Sequence, residues 1–418
     1  MRRKIAVLLF ILFACLVAAN ALGTEARDKV RLAKEIALEF FAGDPKKVHE
    51  MFSPEIAGLM TADELVELKG MLTDEGTGLG AFESLGEVRQ GAAEIIVTAH
   101  MAASDLLVII SLTDGDQIAV LYFIRDSIKP EDVPLAENEE EVSFGTLNLP
   151  GILTVSEGEK LPAVVLVHGS GENDRNESLI GGTIIFKDIA QGLSERGVAV
   201  LRYDKRTYLM NQGILPFTDE TIANMTVYEE TVLDAIEAVQ FLKSDERIDP
   251  DRIFVIGHSQ GAMMAPCIHN DGADVNGLIL LAGTLRTLPE LLAEQLEAAP
   301  EFYADEIAFL RAIADISEEE ARQTAILGQN AYRYWDAAQY DLPGHAERAD
   351  VPMLILQGTE DQNVFPDRDY PLWEEFQKNH PDRDITCKLY DGLDHLFLEG
   401  TQFSSRVLDD IAAWIKTR

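Results

Sequence analysis

An α/β fold is what the sequence predicts: a mostly parallel sheet layered with helices and carrying a helical lid, preceded by a small α+β domain. Three observations predict it. From about residue 142 onward, short runs of buried-strand character alternate with helical patterns, as parallel strands joined by crossovers demand. Before that point helices come first and an antiparallel strand pattern follows. The chain has 418 residues, 47% of them hydrophobic, which suffices for two domains and a large core.

Residues 1–21 stand apart from both domains. Arg2, Arg3 and Lys4 precede an apolar run over 5–17, and Ala19-Asn-Ala21 matches a small-x-small cleavage pattern. The segment reads as an export leader cut after Ala21, which leaves a protein that is secreted or held in the cell envelope. Acylation of Cys15 is the competing reading, and Phe13 and the apolar residues after Cys15 fit it poorly. No later run is long and apolar enough to span a bilayer.

Residues 22–126 form the α+β domain. Val30, Ala33, Ile36, Ala37, Phe40 and Phe41 recur with helical spacing over 25–41 and define one buried stripe. Short helices are expected over 46–52 and 62–72. Strands are expected over 94–100, 106–113 and 117–125, the last two joined at Asp114-Gly115, a hairpin signal. Residues 127–141 hold Pro130, Pro134 and an acidic cluster, which is linker composition.

The second domain, 142–418, opens with a central strand over 161–168, followed by Gly169-Ser-Gly171. A strand over 198–203 comes next. Thr226-Val-Tyr-Glu229 is a capping box opening a helix whose buried face is Val232, Ala235, Ile236, Val239 and Leu242. Residues 252–256 are strand-like and run into Gly257-His-Ser-Gln-Gly261 and then a helical pattern; Pro266 inside that helix predicts a kink or local adjustment. A strand over 277–282 precedes a Leu/Ala/Glu-rich stretch, 285–340, that has no strand pattern and reads as the lid. Strands over 351–357 and 385–390 complete the sheet.

The chemistry sits where strands end. In Gly257-His-Ser-Gln-Gly261 a serine occupies a strand-to-helix corner flanked by glycines, the arrangement that exposes a nucleophilic hydroxyl beside a helix amino terminus. A hydroxyl needs a base, and the base needs an orienting acid. Asp361 lies on the loop after the 351–357 strand and His395 on the loop after 385–390, both at the carboxyl edge where open parallel sheets place their sites. Histidine suits the base because it titrates near neutrality, and a carboxylate fixes its tautomer. Glu360 and Asp394 are rival acids: the first points elsewhere on its loop, and the second adjoins His395 too closely to face its ring. His258 is read as packing beneath the turn, and His49, His100, His269, His345 and His380 as surface or packing residues. Oxyanion donors are expected from the backbone N–H groups of Ser170 and Gln260, with Gly171 as the alternative to Ser170. Gly171, Tyr332 and Trp335 are candidate pocket residues; for the two aromatic residues, ordinary helix packing explains the pattern equally well.

With these motifs, and with His168-Gly-Ser-Gly-Glu-Asn-Asp-Arg175, Leu201-Arg-Tyr-Asp-Lys-Arg206, Gln357-Gly-Thr-Glu-Asp361 and Gly392-Leu-Asp-His395, residues 142–418 resemble the α/β-hydrolases. More narrowly, the chain is similar to exported bacterial serine esterases that carry an extra amino-terminal domain. The resemblance implies hydrolysis of carboxylic esters through an acyl-enzyme, with Ser259, Asp361 and His395 at the triad positions and no cofactor. Glu172 and Asn176 depart from the usual loop, which bears on substrate preference and not on the chemistry. Asp204, Lys205 and Arg206 read as a structural ion-pair cluster below the site. An acyl-thioester hydrolase, a peptidase and a non-catalytic envelope binding protein are the alternatives on this fold.

Charge and cysteine content bound the partners. A net charge of −37 repels nucleic acid and anionic membranes, so the expected partner is a small-molecule ester. The amino-terminal domain is the candidate surface for oligomer formation. Cys267 and Cys387 remain after export and read as buried free thiols, and no Cys/His spacing indicates a metal.

Overall fold

The computed structural model describes residues 24–58, 60–73, 79–90, 94–102, 105–126, 129–179, 182–218, 221, 224–298, 300–327 and 329–418. The segment read as an export leader, with Cys15 and Ala21, lies outside the described residues. Among the described residues no helix is long and apolar enough to cross a membrane.

The amino-terminal unit is a four-stranded antiparallel sheet under helices. Strands β1 (Phe82–Gln90), β2 (Ile95–Met101), β3 (Asp105–Leu112) and β4 (Ile118–Arg125) pair in chain order. The helix Thr24–Ala42 buries Ala33, Ile36, Ala37, Phe40 and Phe41 against Val97, Ala99, Leu106, Val108 and Ile110 in one apolar cluster. The anticipated stripe is therefore the one that packs. Strand β1 was not anticipated, and its pairing explains why. Its register against β2 shifts between Phe82 and Ser84 and again between Leu85 and Val88, so the alternation that marks a strand is broken twice.

The second sheet has eight strands: β5 (Glu139–Phe144), β6 (Leu149–Thr154), β7 (Leu161–Val167), β8 (Ala199–Tyr203), β9 (Ile248–His258), β10 (Gly277–Leu281), β11 (Met353–Gly358) and β12 (Ile385–Tyr390). Their order is β12-β11-β10-β9-β7-β8-β6-β5. All pairings from β12 to β8 are parallel, and only those made by β6 are antiparallel. The sheet begins at Glu139, three residues inside the stretch read as linker, and β5 and β6 lacked a recognised strand signal. The acidic start of β5 misled: Glu139 is buried and paired with Arg202 on β8 at 3.0 Å.

Strands β7, β10 and β11 are buried along their full length, as strands covered on both faces must be. Alternate residues feed two cores. Val164, Leu166, Phe254, Ile256, Ile279 and Leu281 pack with the helices Ile185–Ser194 and Ser405–Lys416. Val165, Val167, Val255, Leu278 and Leu280 pack with the helices Asp234–Ser244 and Gln260–Ile268. The Thr226/Glu229 capping box is present, and Val232, Ala235, Val239 and Leu242 are buried as expected, with Ile236 partly so. The helix holding Pro266 passes at once into a wider π turn, His269–Ala273, the local adjustment that a missing N–H invites.

The lid stretch contains the helices Leu288–Leu296, Pro300–Ala312, Glu318–Gln323 and Tyr332–Ala338, and all but the third contribute to one apolar cluster of the lid. One two-residue hairpin, Ala325–Ile326 with Gln329–Asn330, interrupts the helices. Cys267 and Cys387 are free thiols; the first is buried, whereas the second is only partly so.

The connectivity fixes where a site can form. From β7 the chain turns to β8 on one side, then returns to place β9 on the other side of β7. The crevice beyond the carboxyl ends of β7 and β9 is a topological switch point, the place where loops diverge and a ligand can enter.

Candidate active site

Ser259 follows the last residue of β9 and precedes the helix Gln260–Ile268, at that switch point. Its backbone has φ 53° and ψ −117°, a conformation an L residue adopts only when its surroundings impose it. Here they do. Its N–H donates to the Leu281 carbonyl at 2.9 Å, and the flanking glycines leave no room for side chains. A Cβ on Gly257 would lie 2.3 Å from the Gly261 backbone, and one on Gly261 would lie 2.2 Å from the Val167 carbonyl oxygen. Strand, corner and helix thus lock together, and Ser259 stays partly exposed while its neighbours are buried.

Asp361 and His395 meet as the motif order anticipated. Both are buried, and His395 Nδ1 lies 2.9 Å from Asp361 Oδ2. Asp361 Oδ2 also accepts from Gln357 Nε2 at 2.7 Å, and Oδ1 accepts the N–H groups of Asn363 and Val364 at 2.8 and 2.9 Å. Burial by itself raises the Asp361 pKa, but the His395 ring and these donors outweigh it and hold the carboxyl below its ordinary value. A carboxylate that only accepts assigns the hydrogen to His395 Nδ1, so Nε2 carries the lone pair a general base needs. The rivals have other partners: Glu360 accepts no ring, its N–H bonding the Leu393 carbonyl, and Asp394 Oδ1 accepts the N–H groups of Leu396 and Leu398.

The serine and histidine loops are tied together by His258, which does more than pack under the turn. Its Nε2 donates to the His395 carbonyl at 3.1 Å, and the two rings lie 4.8 Å apart. Its Nδ1 faces Glu177 Oε1 at 3.1 Å, and that same oxygen accepts the Gly169 N–H at 2.8 Å. Burial lowers the His258 pKa and Glu177 raises it, with a net rise; Glu177, which burial pushes up, is held low by His258. Glu177 was missed in the sequence. Its only signal was an acidic residue close behind the His168-Gly-Ser-Gly171 motif.

That motif places its loop against Ser259. A Cβ on Gly169 would stand 3.3 Å from Ser259 Cβ, and Gly171 needs a φ of 92°, in the left-handed region that glycine tolerates. Ser170 and Gly171 follow Gly169 on that loop, and Gln260 starts the helix that follows Ser259, where N–H groups have no partner within the helix. His168 itself turns away and donates from Nε2 to the Asp174 carbonyl at 3.0 Å. Burial pushes its pKa down to about 4.

The sign of the resulting pH dependence follows from linkage. The folded pKa lies below the unfolded value of about 6.5, so the native state binds fewer protons and this contribution is lost as pH falls from 6.5 towards 4. Between pH 7 and 4.5 the native protein is expected to lose about 2 kcal/mol more stability than a His168→Asn variant. Urea unfolding of both proteins at the two pH values checks this; parallel losses would refute it.

The predicted ion-pair cluster is present, with one member doing something unforeseen. Asp204 pairs with Arg175 at 2.6 Å, Arg206 with Asp234 at 2.6 Å and Lys205 with Glu230 at 3.4 Å. Lys205 also reaches two carbonyls of the 169–171 loop. Tyr332 and Trp335, the aromatic pocket candidates, both lie on the lid helix Tyr332–Ala338. Tyr332 stacks on Trp335 with centroids 5.8 Å apart and lies under Arg322, while Trp335 Nε1 donates to the Ile316 carbonyl at 3.0 Å. These are contacts within the lid, which is what helix packing requires.

Comparison with known proteins places the chain. Residues 158–402 match the family model described as serine aminopeptidase, S33. The chain is 32% identical over 336 residues to the esterase EstD of Thermotoga maritima, covering 74% of this chain and 76% of that one. Among solved structures, an esterase of Pyrococcus furiosus has a TM-score of 0.46 at 15% identity, covering 69% of this chain and 94% of the other. Est1E of Butyrivibrio proteoclasticus has a TM-score of 0.44 at 16% identity, covering 68% of this chain and all 100% of the other. The family match spans both the elbow and the His395 loop, and the chain belongs to this family of α/β-hydrolases.

Proposed function

We propose that the protein hydrolyses carboxylic esters by two-step acyl transfer to water. Ser259 Oγ attacks the ester carbonyl while His395 Nε2 takes its proton, and Asp361 holds the ring and stabilises the imidazolium that forms. The N–H groups of Ser170 and Gln260 receive the oxyanion. His395 then protonates the leaving alcohol, and water repeats the sequence on the acyl-enzyme with the proton moving the same way. No cofactor enters any step.

One observation carries the reading. His395 is bonded to Asp361 through Nδ1 and anchored through its own carbonyl to the residue that precedes Ser259. An imidazole oriented by a carboxylate, on a loop tied to the turn that carries a strained serine, is what an activated hydroxyl at neutral pH needs.

Ester rather than amide or thioester cleavage is favoured by the relative that matches most of the chain, an esterase, although the family description names an aminopeptidase. The same triad serves all three reactions, and the pocket and leaving group decide between them. Steady-state assays with p-nitrophenyl acetate, an acetyl thioester and an alanine anilide are expected to give the highest kcat/KM on the ester. Preference for the anilide would replace this reading with the peptidase one.

A further inference from the structure

Three consecutive carbonyls of the loop beside Ser259 turn to one side. Lys205 Nζ donates to the Gly169 and Gly171 oxygens, both at 3.0 Å. Asn173 Nδ2 lies 3.1 Å from the Gly169 and Ser170 oxygens and 3.4 Å from that of Gly171. Both side chains are buried, Lys205 at 1% exposure and Asn173 at 5%. In a trans peptide the C=O and the following N–H point in opposite directions, and no peptide bond here is cis. Carbonyls drawn inward therefore aim the N–H groups of Ser170, Gly171 and Glu172 the other way, out of the Lys205 and Asn173 nest. The loop carrying them touches the nucleophile, with Gly169 packed against Ser259.

We propose that Lys205 and Asn173 are positioning residues for the oxyanion hole: their buried donors capture the Gly169, Ser170 and Gly171 carbonyls and so turn the Ser170 N–H towards the developing oxyanion that it receives together with Gln260. Lys205 meets three acceptors, the two carbonyls and Glu230 Oε1, which matches the three hydrogens of an ammonium. The ammonium also polarises the peptides it binds, which strengthens their N–H groups as donors. Glu230 holds it in place and is itself fixed, accepting from Thr207 Oγ1 at 2.8 Å and from Arg333 at 2.6 Å. Arg333 lies on the lid helix Tyr332–Ala338, so one buried carboxylate joins the lid to the loop that receives the oxyanion.

This inference rests on the acyl-transfer reading, and the test separates the two. Asn173→Leu removes the amide donors without burying a charge, and Lys205→Met paired with Glu230→Gln removes the ammonium without leaving its carboxylate behind. Each variant, its fold verified by far-UV circular dichroism, is expected to lower kcat on p-nitrophenyl acetate by about 10²-fold while KM changes by less than about threefold. Inhibition by phenylboronic acid, whose serine adduct puts a boron-bound oxygen at the oxyanion position, is expected to weaken by at least about tenfold in parallel. A role confined to stability would lower the melting temperature and leave both readouts alone. Unchanged kcat in folded Asn173→Leu, or a loss of kcat with undiminished boronate affinity, overturns the positioning role while the serine reading stands. Turnover that survives Ser259→Ala overturns the serine reading and this one with it.

Discussion

Ser259→Ala is expected to lower kcat on a short-chain aryl ester by about 10⁶-fold while leaving the fold intact. The serine hydroxyl is the only protein group in the proposed mechanism that forms a bond to carbon, so its loss leaves only binding and the oxyanion donors to assist direct attack by water. The fold should tolerate the change because the unusual φ of 53° belongs to the backbone. Alanine has the same Cβ, and the clash that excludes side chains arises at Gly257 and Gly261, not at the corner itself. Thermal unfolding and steady-state kinetics on one preparation test both halves. Retention of activity within about tenfold would point to another nucleophile.

Asp361→Asn is expected to cost about 10⁴-fold in kcat, and the hydrogen-bond pattern says why. Oδ1 accepts two backbone N–H groups, which an amide nitrogen cannot do. The introduced amide must therefore keep its oxygen on the Oδ1 side and turn its NH₂ towards His395 Nδ1 and Gln357. That donor forces the imidazole to accept at Nδ1, which moves its hydrogen to Nε2, the atom that should take the serine proton. The ring stays in place in the wrong tautomer. A pH–rate profile checks the argument: activity should recover at high pH, where serine deprotonates without help, and a profile parallel to the native one would contradict it.

Much of this was legible in the residues. Strands β7, β10 and β11 declared themselves because a strand covered on both faces must be apolar throughout, and few other elements give a short uninterrupted apolar run. The elbow was legible because sterics dictate its glycines. Asp361 and His395 followed from their place on loops after strands. What escaped was set by distant partners. Strand β5 begins with Glu139-Glu-Glu141, which looks like linker until Arg202 is seen to neutralise the buried first carboxylate. Strand β1 hid behind two register shifts. Glu177 acts on His258, 81 residues away, and Lys205 on Gly169, 36 residues away; no local pattern encodes such pairings. Trp335, for which pocket lining and helix packing fitted the sequence equally well, bonds the Ile316 carbonyl and packs against the apolar cluster of the lid.

The two networks behind the site share a design. Gly169 gives its N–H to Glu177 and its carbonyl to Lys205, so one residue of the loop is clamped from both directions. Glu177 passes the constraint through His258 to the backbone of His395. The Ser259 turn, the His395 loop and the 169–171 loop are thus tied together by one connected set of buried polar groups, whose hydrogen bonds the low-dielectric interior strengthens.

The convergence of Ser259, His395 and Asp361 into one reactive cluster is tested most directly by mass spectrometry after treatment with a fluorophosphonate. The account predicts a single covalent adduct on Ser259 in the native protein and a sharp fall in its rate of formation in His395→Ala. An adduct on a different residue, or one that forms on Ser259 just as fast without the imidazole, would contradict it.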